Sequence, residues 1–110
     1  MAGKYEVLKS KNGKYHFNLK AANGQVVLSS QMYESKPSCL NGIESTKKNA
    51  GDDKHFERLT SAKGEPYFTL KATNGQVIGR SEMYASASSM ENGIASVAKN
   101  KDSATNDLSE

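Results

Sequence analysis

Hydrophobic and polar residues alternate along several short segments of this chain, and a glycine-containing turn follows most of them. The alternation is clearest around Phe17 and Leu19 and again around Phe68 and Leu70, which it places toward a core. The segments come in two sets of three. In the third segment of each set, the pattern of apolar residues does not show which face is buried. Strands are predicted at Tyr5–Lys9, Tyr15–Lys20, Gln25–Ser30, Phe56–Thr60, Pro66–Lys71 and Gln76–Ser81.

After each third strand the apolar period changes from that of a strand to that of a helix. Ser35 and Ser86 are the predicted N-caps, and the helices are expected to end near Asn49 and Asn100. The two apolar stripes are Cys39, Gly42, Ile43 and Thr46, and Met90, Gly93, Ile94 and Val97. A glycine within a helix lowers its stability by about 1 kcal/mol relative to alanine. Because each stripe nevertheless contains a glycine, we predict that a neighbouring element approaches each helix closely.

The chain is one sequence written twice. Residues 5–50 align with residues 56–101 at a constant shift of 51, and roughly half of the aligned positions are identical. Two copies are too few for a solenoid and instead predict a pseudo-twofold unit. We therefore expect a single domain over residues 1–110, with repeats at about 4–50 and 55–101, a linker at 51–54 and a polar tail at 102–110.

The fold class follows from these elements. Each copy is predicted as β-β-β-α, giving an α+β protein in which the halves pack on each other, since a half of about 50 residues would be marginal alone. Asn23-Gly24 and Asn74-Gly75 predict type I′ hairpin turns. The sequence leaves open whether the tail forms a strand.

Composition narrows the classes of protein to which this chain can belong. The 110 residues carry a net charge of +3, with the lysines scattered rather than clustered, and 35% of them are hydrophobic. Cys39, the one cysteine, has no disulfide partner within the chain and aligns with Met90, which favours an apolar filler. No signal peptide or membrane span is recognisable, so the expected location is the cytoplasm.

The doubled motifs Asn-Gly-Gln-Val, Ser-x-Met-Tyr-x-Ser and Asn-Gly-Ile-x-Ser-x-x-x-Asn resemble the YegP-like family of small bacterial proteins of unknown function. The resemblance covers residues 4–100. It implies β-β-β-α-β units joined in one mostly antiparallel sheet, with exchanged C-terminal strands and both helices on one face. Residues 56–60 would then end the first unit and begin the second, and a closing strand would lie at about 104–108. It implies no activity, cofactor or catalytic residue.

Candidate catalytic and metal-binding groups are few. His16 and His55 stand at non-equivalent positions and lack the convergent ligands of a metal site. Glu6 and Glu57 repeat on the side of Leu8 and Leu59 and could approach each other across the pseudo-twofold axis, but edge charges that deter strand addition are the favoured interpretation. We expect no enzyme, no metal and no cofactor.

The candidate binding face is the side of the sheet opposite the helices. It carries His16, Asn18 and Lys20 from one repeat with Tyr67, Thr69 and Lys71 from the other. The favoured hypothesis is a non-enzymatic binding module for a protein or small ligand, acting as a monomeric fused pseudo-dimer through this face or the seam between repeats. The alternative is weak nucleic-acid binding, in which the aromatic and basic residues of this face contact bases and phosphates.

Overall fold

A computed structural model describes residues 3–109. Within them the chain forms seven strands and two α-helices in the order β-β-β-α-β-β-β-α-β. The elements are β1 (Lys4–Lys9), β2 (Tyr15–Lys20), β3 (Val26–Ser30), α1 (Lys36–Asn49), β4 (Phe56–Thr60), β5 (Pro66–Lys71), β6 (Val77–Arg80), α2 (Ala87–Asn100) and β7 (Ala104–Asp107). A short 3₁₀ turn, Asp53–His55, precedes β4.

The strands form one sheet in the order β4-β5-β6-β3-β2-β1-β7. Five neighbouring pairs are antiparallel, and β7 runs parallel to β1. The two repeats meet where β3 pairs with β6, with Ser29 opposite Arg80 and Ser30 opposite Gly79. The predicted fold class is confirmed, as is the pseudo-twofold arrangement, with β4, β5 and β6 on one side of this junction and β3, β2 and β1, followed by β7, on the other.

The hairpin turns differ from the predicted type. A type I′ turn needs positive φ at both central residues, yet Gly24 has a φ of 85° and no non-glycine residue within 3–109 has a positive φ. The amide of Gly24 donates to the carbonyl of Ala21, and the amide of Ala21 donates to Gln25. This is a three-residue loop, a type I turn followed by a left-handed glycine, which the Asn23 side chain closes by accepting from the Gln25 amide.

The predicted inward residues of β2 and β5 form the centre of the core. Phe17, Leu19, Phe68 and Leu70 are fully buried. Tyr5 packs edge-on against Phe17, and the corresponding rings of the second repeat pack in the same way. A register shift in each β2–β3 and β5–β6 pairing marks a bulge in the third strand. This bulge explains why the sequence pattern of that strand was ambiguous.

Both helices follow the predicted pattern of caps and stripes. The hydroxyls of Ser35 and Ser86 accept hydrogen bonds from the amides of Ser38 and Ser89. Every residue of the two predicted stripes is buried. Each helix contacts strands of both repeats, so neither half has a core of its own.

The close approach predicted at the helix glycines is made by a tyrosine ring. A Cβ added at Gly42 would collide with the Tyr33 hydroxyl and lie 2.8 Å from Cζ of that ring and 2.9 Å from Cε2 of Phe17. Tyr33 in turn stacks on Phe17, with ring centroids 6.4 Å apart. Gly93 stands in the same relation to Tyr84 and Phe68.

The two ends of the sheet are not equivalent. At one end β7 covers β1, as the family resemblance implied for residues 104–108. At the other end is β4, which both follows α1 and begins the second repeat. Within the described residues 3–109 it pairs only with β5. Arg58 lies on this open edge and forms ion pairs with Asp53 at 2.8 Å and Glu91 at 2.6 Å. Charged groups on an edge strand oppose pairing with another chain.

We predict that Gly42→Ala lowers the free energy of unfolding by about 1–3 kcal/mol, because the added methyl group overpacks the Tyr33–Phe17 stack. Urea unfolding measures the change. In a Tyr33→Ala background the same substitution should cost less, because two of the three close contacts are with the Tyr33 ring and only the one with Phe17 remains. Glu44→Ala, on the exposed side of the same helix, is the control and should change stability by less than about 0.5 kcal/mol. An equal cost of Gly42→Ala in both backgrounds would contradict the packing argument.

Candidate open-face site

The face of the sheet opposite the helices carries a polar row that crosses all seven described strands. Neighbouring members of this row are direct cross-strand partners in the register of the sheet. Because side chains alternate along each strand, partners in register share one face. In spatial order the open-face row is Asn106, Glu6, Asn18, Ser29, Arg80, Thr69 and Glu57.

The six residues predicted as a binding face all point to this side, but they do not form one patch. His16, Asn18 and Lys20 lie on β2, whereas Tyr67, Thr69 and Lys71 lie on β5. Strands β3 and β6 separate the two groups, a distance of about 14 Å at the usual strand spacing. The structure therefore contains two strips related by the pseudo-twofold axis, with the junction of the repeats between them.

The lysines of both strips are neutralised by the repeated glutamates. Lys20 Nζ lies 2.9 Å from Glu6 Oε1, and Lys71 Nζ lies 3.0 Å from Glu57 Oε1. The hydrogen bond from Lys20 is the main reason that the pKa of Glu6 is lowered, with a further contribution from Lys4. Neither lysine is thus a free cation on the open face.

The prediction that Glu6 and Glu57 could approach each other is wrong. They lie on β1 and β4, with four strands between them in the sheet. The edge-charge interpretation fits Glu57, on the open edge strand, but not Glu6, because β7 covers β1. Sequence periodicity put these glutamates on the side of Leu8 and Leu59 but contained no information on which strands are neighbours.

Two buried polar atoms have no hydrogen-bond partner among residues 3–109, namely Nδ1 of His16 and Oγ1 of Thr69. Thr69 is 92% buried and directly opposite Arg80 in the register. Buried hydroxyls are nearly always hydrogen-bonded, so an unpaired one calls for a specific explanation such as a ligand or an ordered water.

Arg80 is the functional candidate that sequence reasoning missed. Its side chain is exposed, and within residues 3–109 it makes no ion pair or hydrogen bond, in contrast to Arg58. It lines a shallow groove of about 420 Å³ together with Asn18, Ser29 and Glu82. The signal was present in the sequence, since Arg80 replaces Ser29 of the first repeat, but the ambiguous third strand hid its orientation.

Two further kinds of chemical group were candidates from the sequence, namely metal ligands and the cysteine thiol. No group of three or more His, Cys, Asp or Glu residues between 3 and 109 is placed to hold a metal ion. Cys39 lies on the buried face of α1, and burial raises the pKa of its thiol to about 11, with a smaller effect from Asp107. A thiol that stays protonated at neutral pH is a poor nucleophile.

Comparison with known protein families shows which family the chain belongs to. The model of the domain of unknown function DUF1508 matches it twice, over residues 10–57 and 61–107. The UPF0339 protein YegP of Yersinia pestis is 56% identical over 98 residues, which are 89% of this chain and 88% of that protein. The chain belongs to the UPF0339 family. The resemblance stated from the repeated motifs is therefore confirmed.

Other members of the UPF0339 family agree in sequence and fold. A UPF0339 protein of Acinetobacter baylyi is 50% identical over 96% of this chain and 95% of its own length. The solution structure of YegP from E. coli, described as a protein of unknown function, has a TM-score of 0.94 at 44% identity and covers 99% of this chain and 95% of that one. A UPF0339 protein of Shewanella oneidensis has a TM-score of 0.93 at 42% identity, with 99% and 93% covered. The family is thus uncharacterised in function, and any activity must be argued from the chain itself.

The described part of the chain also bears on membrane insertion. Neither helix between residues 3 and 109 has the length and apolar character that crossing a bilayer requires.

We predict that Glu6→Gln lowers stability at neutral pH by roughly 1 kcal/mol, because it removes a charge-assisted hydrogen bond from a mostly buried position. A carboxyl whose pKa is lowered in the folded state stabilises the fold above its unfolded value, and that contribution is lost as the pH falls through the folded value. The difference between wild type and Glu6→Gln should therefore disappear in acid.

Urea unfolding at pH 7 and at acidic pH measures this difference. Glu57→Gln is the matched control, since its ion pair with Lys71 is similar in length but about half exposed, and it should cost less. An equal loss for both variants, or a loss that does not depend on pH, would show that the Glu6 ion pair contributes nothing specific.

Proposed function

We propose that this protein is a non-enzymatic binding module whose open sheet face takes a small ligand with a carboxylate or phosphate group. The observation that carries the proposal is the exposed Arg80 without a carboxylate partner among residues 3–109, at the centre of the open-face row. Arginine forms paired hydrogen bonds with both kinds of anion. Thr69, directly across from Arg80, has a buried hydroxyl without a hydrogen-bond partner within residues 3–109, but it does not line the Arg80 groove.

The residues that line the Arg80 groove limit the charge and the size of the ligand. Ser29 and Asn18 add a hydroxyl and an amide, both partly exposed. Glu82 also lines the groove, although it makes no ion pair with Arg80. Its negative charge works against highly charged ligands. The groove is shallow, and Arg80 is the one cation that lines it among residues 3–109, which favours a small, singly anionic group over a long polyanion.

Nucleic-acid binding is the alternative function. The six predicted face residues support it through an aromatic ring and two lysines on one face. Against it, Lys20 and Lys71 are each neutralised by a glutamate, and a nucleic-acid binder relies on several free cations. The salt dependence separates the two functions, because neutralising several phosphates makes affinity fall steeply with salt.

We predict that titration with inorganic phosphate, succinate and AMP gives saturable NMR shift changes at Ser29, Arg80 and their neighbours. Arg80→Gln should weaken binding by about tenfold or more, since a charge-assisted hydrogen bond is lost. Glu82→Gln should strengthen it. Arg58→Gln, which alters the other exposed arginine, is the control and should leave affinity unchanged.

Three outcomes would count against this function. The first is the absence of saturable shifts with every probe. The second is binding that Arg80→Gln leaves intact. The third is tight binding of single-stranded oligothymidylate that falls steeply with salt and depends on Lys20 and Lys71, which would support the nucleic-acid alternative instead.

A further inference from the structure

The helical side of the sheet has two grooves that are copies of each other. The α1 groove lies between α1 and the β5–β6 hairpin and has a volume of about 620 Å³. The α2 groove lies between α2 and the β2–β3 hairpin and has a volume of about 280 Å³. Each is therefore built from the helix of one repeat and the hairpin of the other, and neither could exist in an isolated repeat.

The residues that line these grooves are repeated more strictly than the rest of the chain. Nine residues line the α2 groove, and all nine have their counterparts in the α1 groove. Eight of the nine are identical, whereas roughly half of all aligned positions are. Only the Val27 position differs, with Ile78 as its counterpart. The identical pairs, first-repeat residue first, are Ala21/Ala72, Asn23/Asn74, Gln25/Gln76, Tyr33/Tyr84, Ser38/Ser89, Asn41/Asn92, Gly42/Gly93 and Ser45/Ser96.

Some of these identities are explained by the fold, but the helix asparagines are not. The glycines make room for the tyrosines, and Asn23 and Asn74 close turns. Asn41 and Asn92, by contrast, are exposed and make no side-chain hydrogen bond within residues 3–109. Exposed positions on the same helices have changed between the repeats, as at Leu40/Glu91 and Glu44/Ala95. An exposed, unpaired side chain kept in both copies indicates a role outside the fold.

The chemistry of the lining defines the ligand. Among residues 3–109, no charged residue lines either groove, although 25% of the chain is charged. The polar groups are amides and hydroxyls, which can both donate and accept hydrogen bonds. Tyr33 adds a half-buried ring whose hydroxyl has no partner within residues 3–109. A ligand with a formal charge would lose hydration here without gaining an ion pair.

We propose that the two grooves are equivalent binding sites for a neutral, hydroxyl-rich small molecule of the sugar class. Each hydroxyl of such a ligand is both donor and acceptor and so matches side-chain amides, which also offer both. The α1 groove lies within the usual range of ligand-pocket volumes and the α2 groove at its lower limit, so the α1 groove binds more tightly. These sites lie on the side of the sheet away from Arg80 and do not depend on the open-face proposal.

The test is an NMR titration of the full chain with glucose, galactose and N-acetylglucosamine, with glucuronate as the charged counterpart. Concentrations should reach roughly 100 mM, above the millimolar dissociation constants that a few hydrogen bonds support. We expect two groups of shifted amides, one around Asn41 and Gln76 and the other around Asn92 and Gln25. Glucuronate should bind more weakly than glucose.

Paired variants test whether each site spans both repeats. Asn41→Ala and Gln76→Ala should each weaken binding in the α1 groove by about fivefold, the loss expected for one hydrogen bond, and leave the α2 groove unchanged. Asn92→Ala and Gln25→Ala should do the reverse. All four positions are exposed, so these variants should fold normally. Arg80→Gln should affect neither groove, which separates a failure here from a failure of the open-face site.

Several results would overturn the proposal. Among them are the absence of saturable shifts with all three neutral sugars, shifts that the four variants leave unchanged, and variants whose effects group by repeat rather than by groove. If capped diglycine shifts the same amides and the sugars do not, the grooves bind peptide amides and the assigned ligand class is wrong.

Discussion

The short pairing of β3 with β6 is the contact on which the rest of the molecule depends. A repeat of about 50 residues cannot bury enough apolar surface to be stable alone, and this pairing merges two three-stranded sheets under two helices. Gly79 makes it possible, since a Cβ at this position would lie 2.6 Å from the carbonyl oxygen of Ser29. The first repeat has Leu28 at the equivalent position, buried in the core. The junction therefore needs two different residues at one repeated position, and the symmetry is broken where the halves meet.

Local pattern was enough to predict six of the seven strands and both helices, but not β7. The period of two identified Phe17 and Leu19 as inward residues, and the helix stripes around Ile43 and Ile94 were read from their spacing. Cap chemistry placed Ser35 and Ser86 correctly. These features depend on residues within a few positions of one another. The order of strands depends on contacts between distant segments. Here the family resemblance supplied the single sheet and the closing strand at about residues 104–108, but not the full order of the strands.

In the candidate site, too, the sequence predicts local features but not the contacts between distant segments. Alternation correctly put Asn18 and Thr69 on the open face, but it could not show that two strands lie between them. The bulge in each third strand interrupted the alternation, so the orientation of Arg80 could not be read from the sequence. The grooves on the helical side could not be predicted from the sequence for a different reason. Each combines residues of opposite repeats, so the identity of Asn41 with Asn92 gains its meaning only once Gln76 and Gln25 are seen beside them.

The unequal ends of the sheet limit how far this architecture can grow. The segment after α1 is used as the opening strand of the second repeat, whereas the segment after α2 is free to lie along β1. In a chain with a third copy fused after α2, residues 104–107 would form the first strand of that copy. Val7 and its neighbours on β1 would then lose their parallel partner. A further copy in one polypeptide would therefore expose the edge of β1 that β7 covers in this two-copy chain.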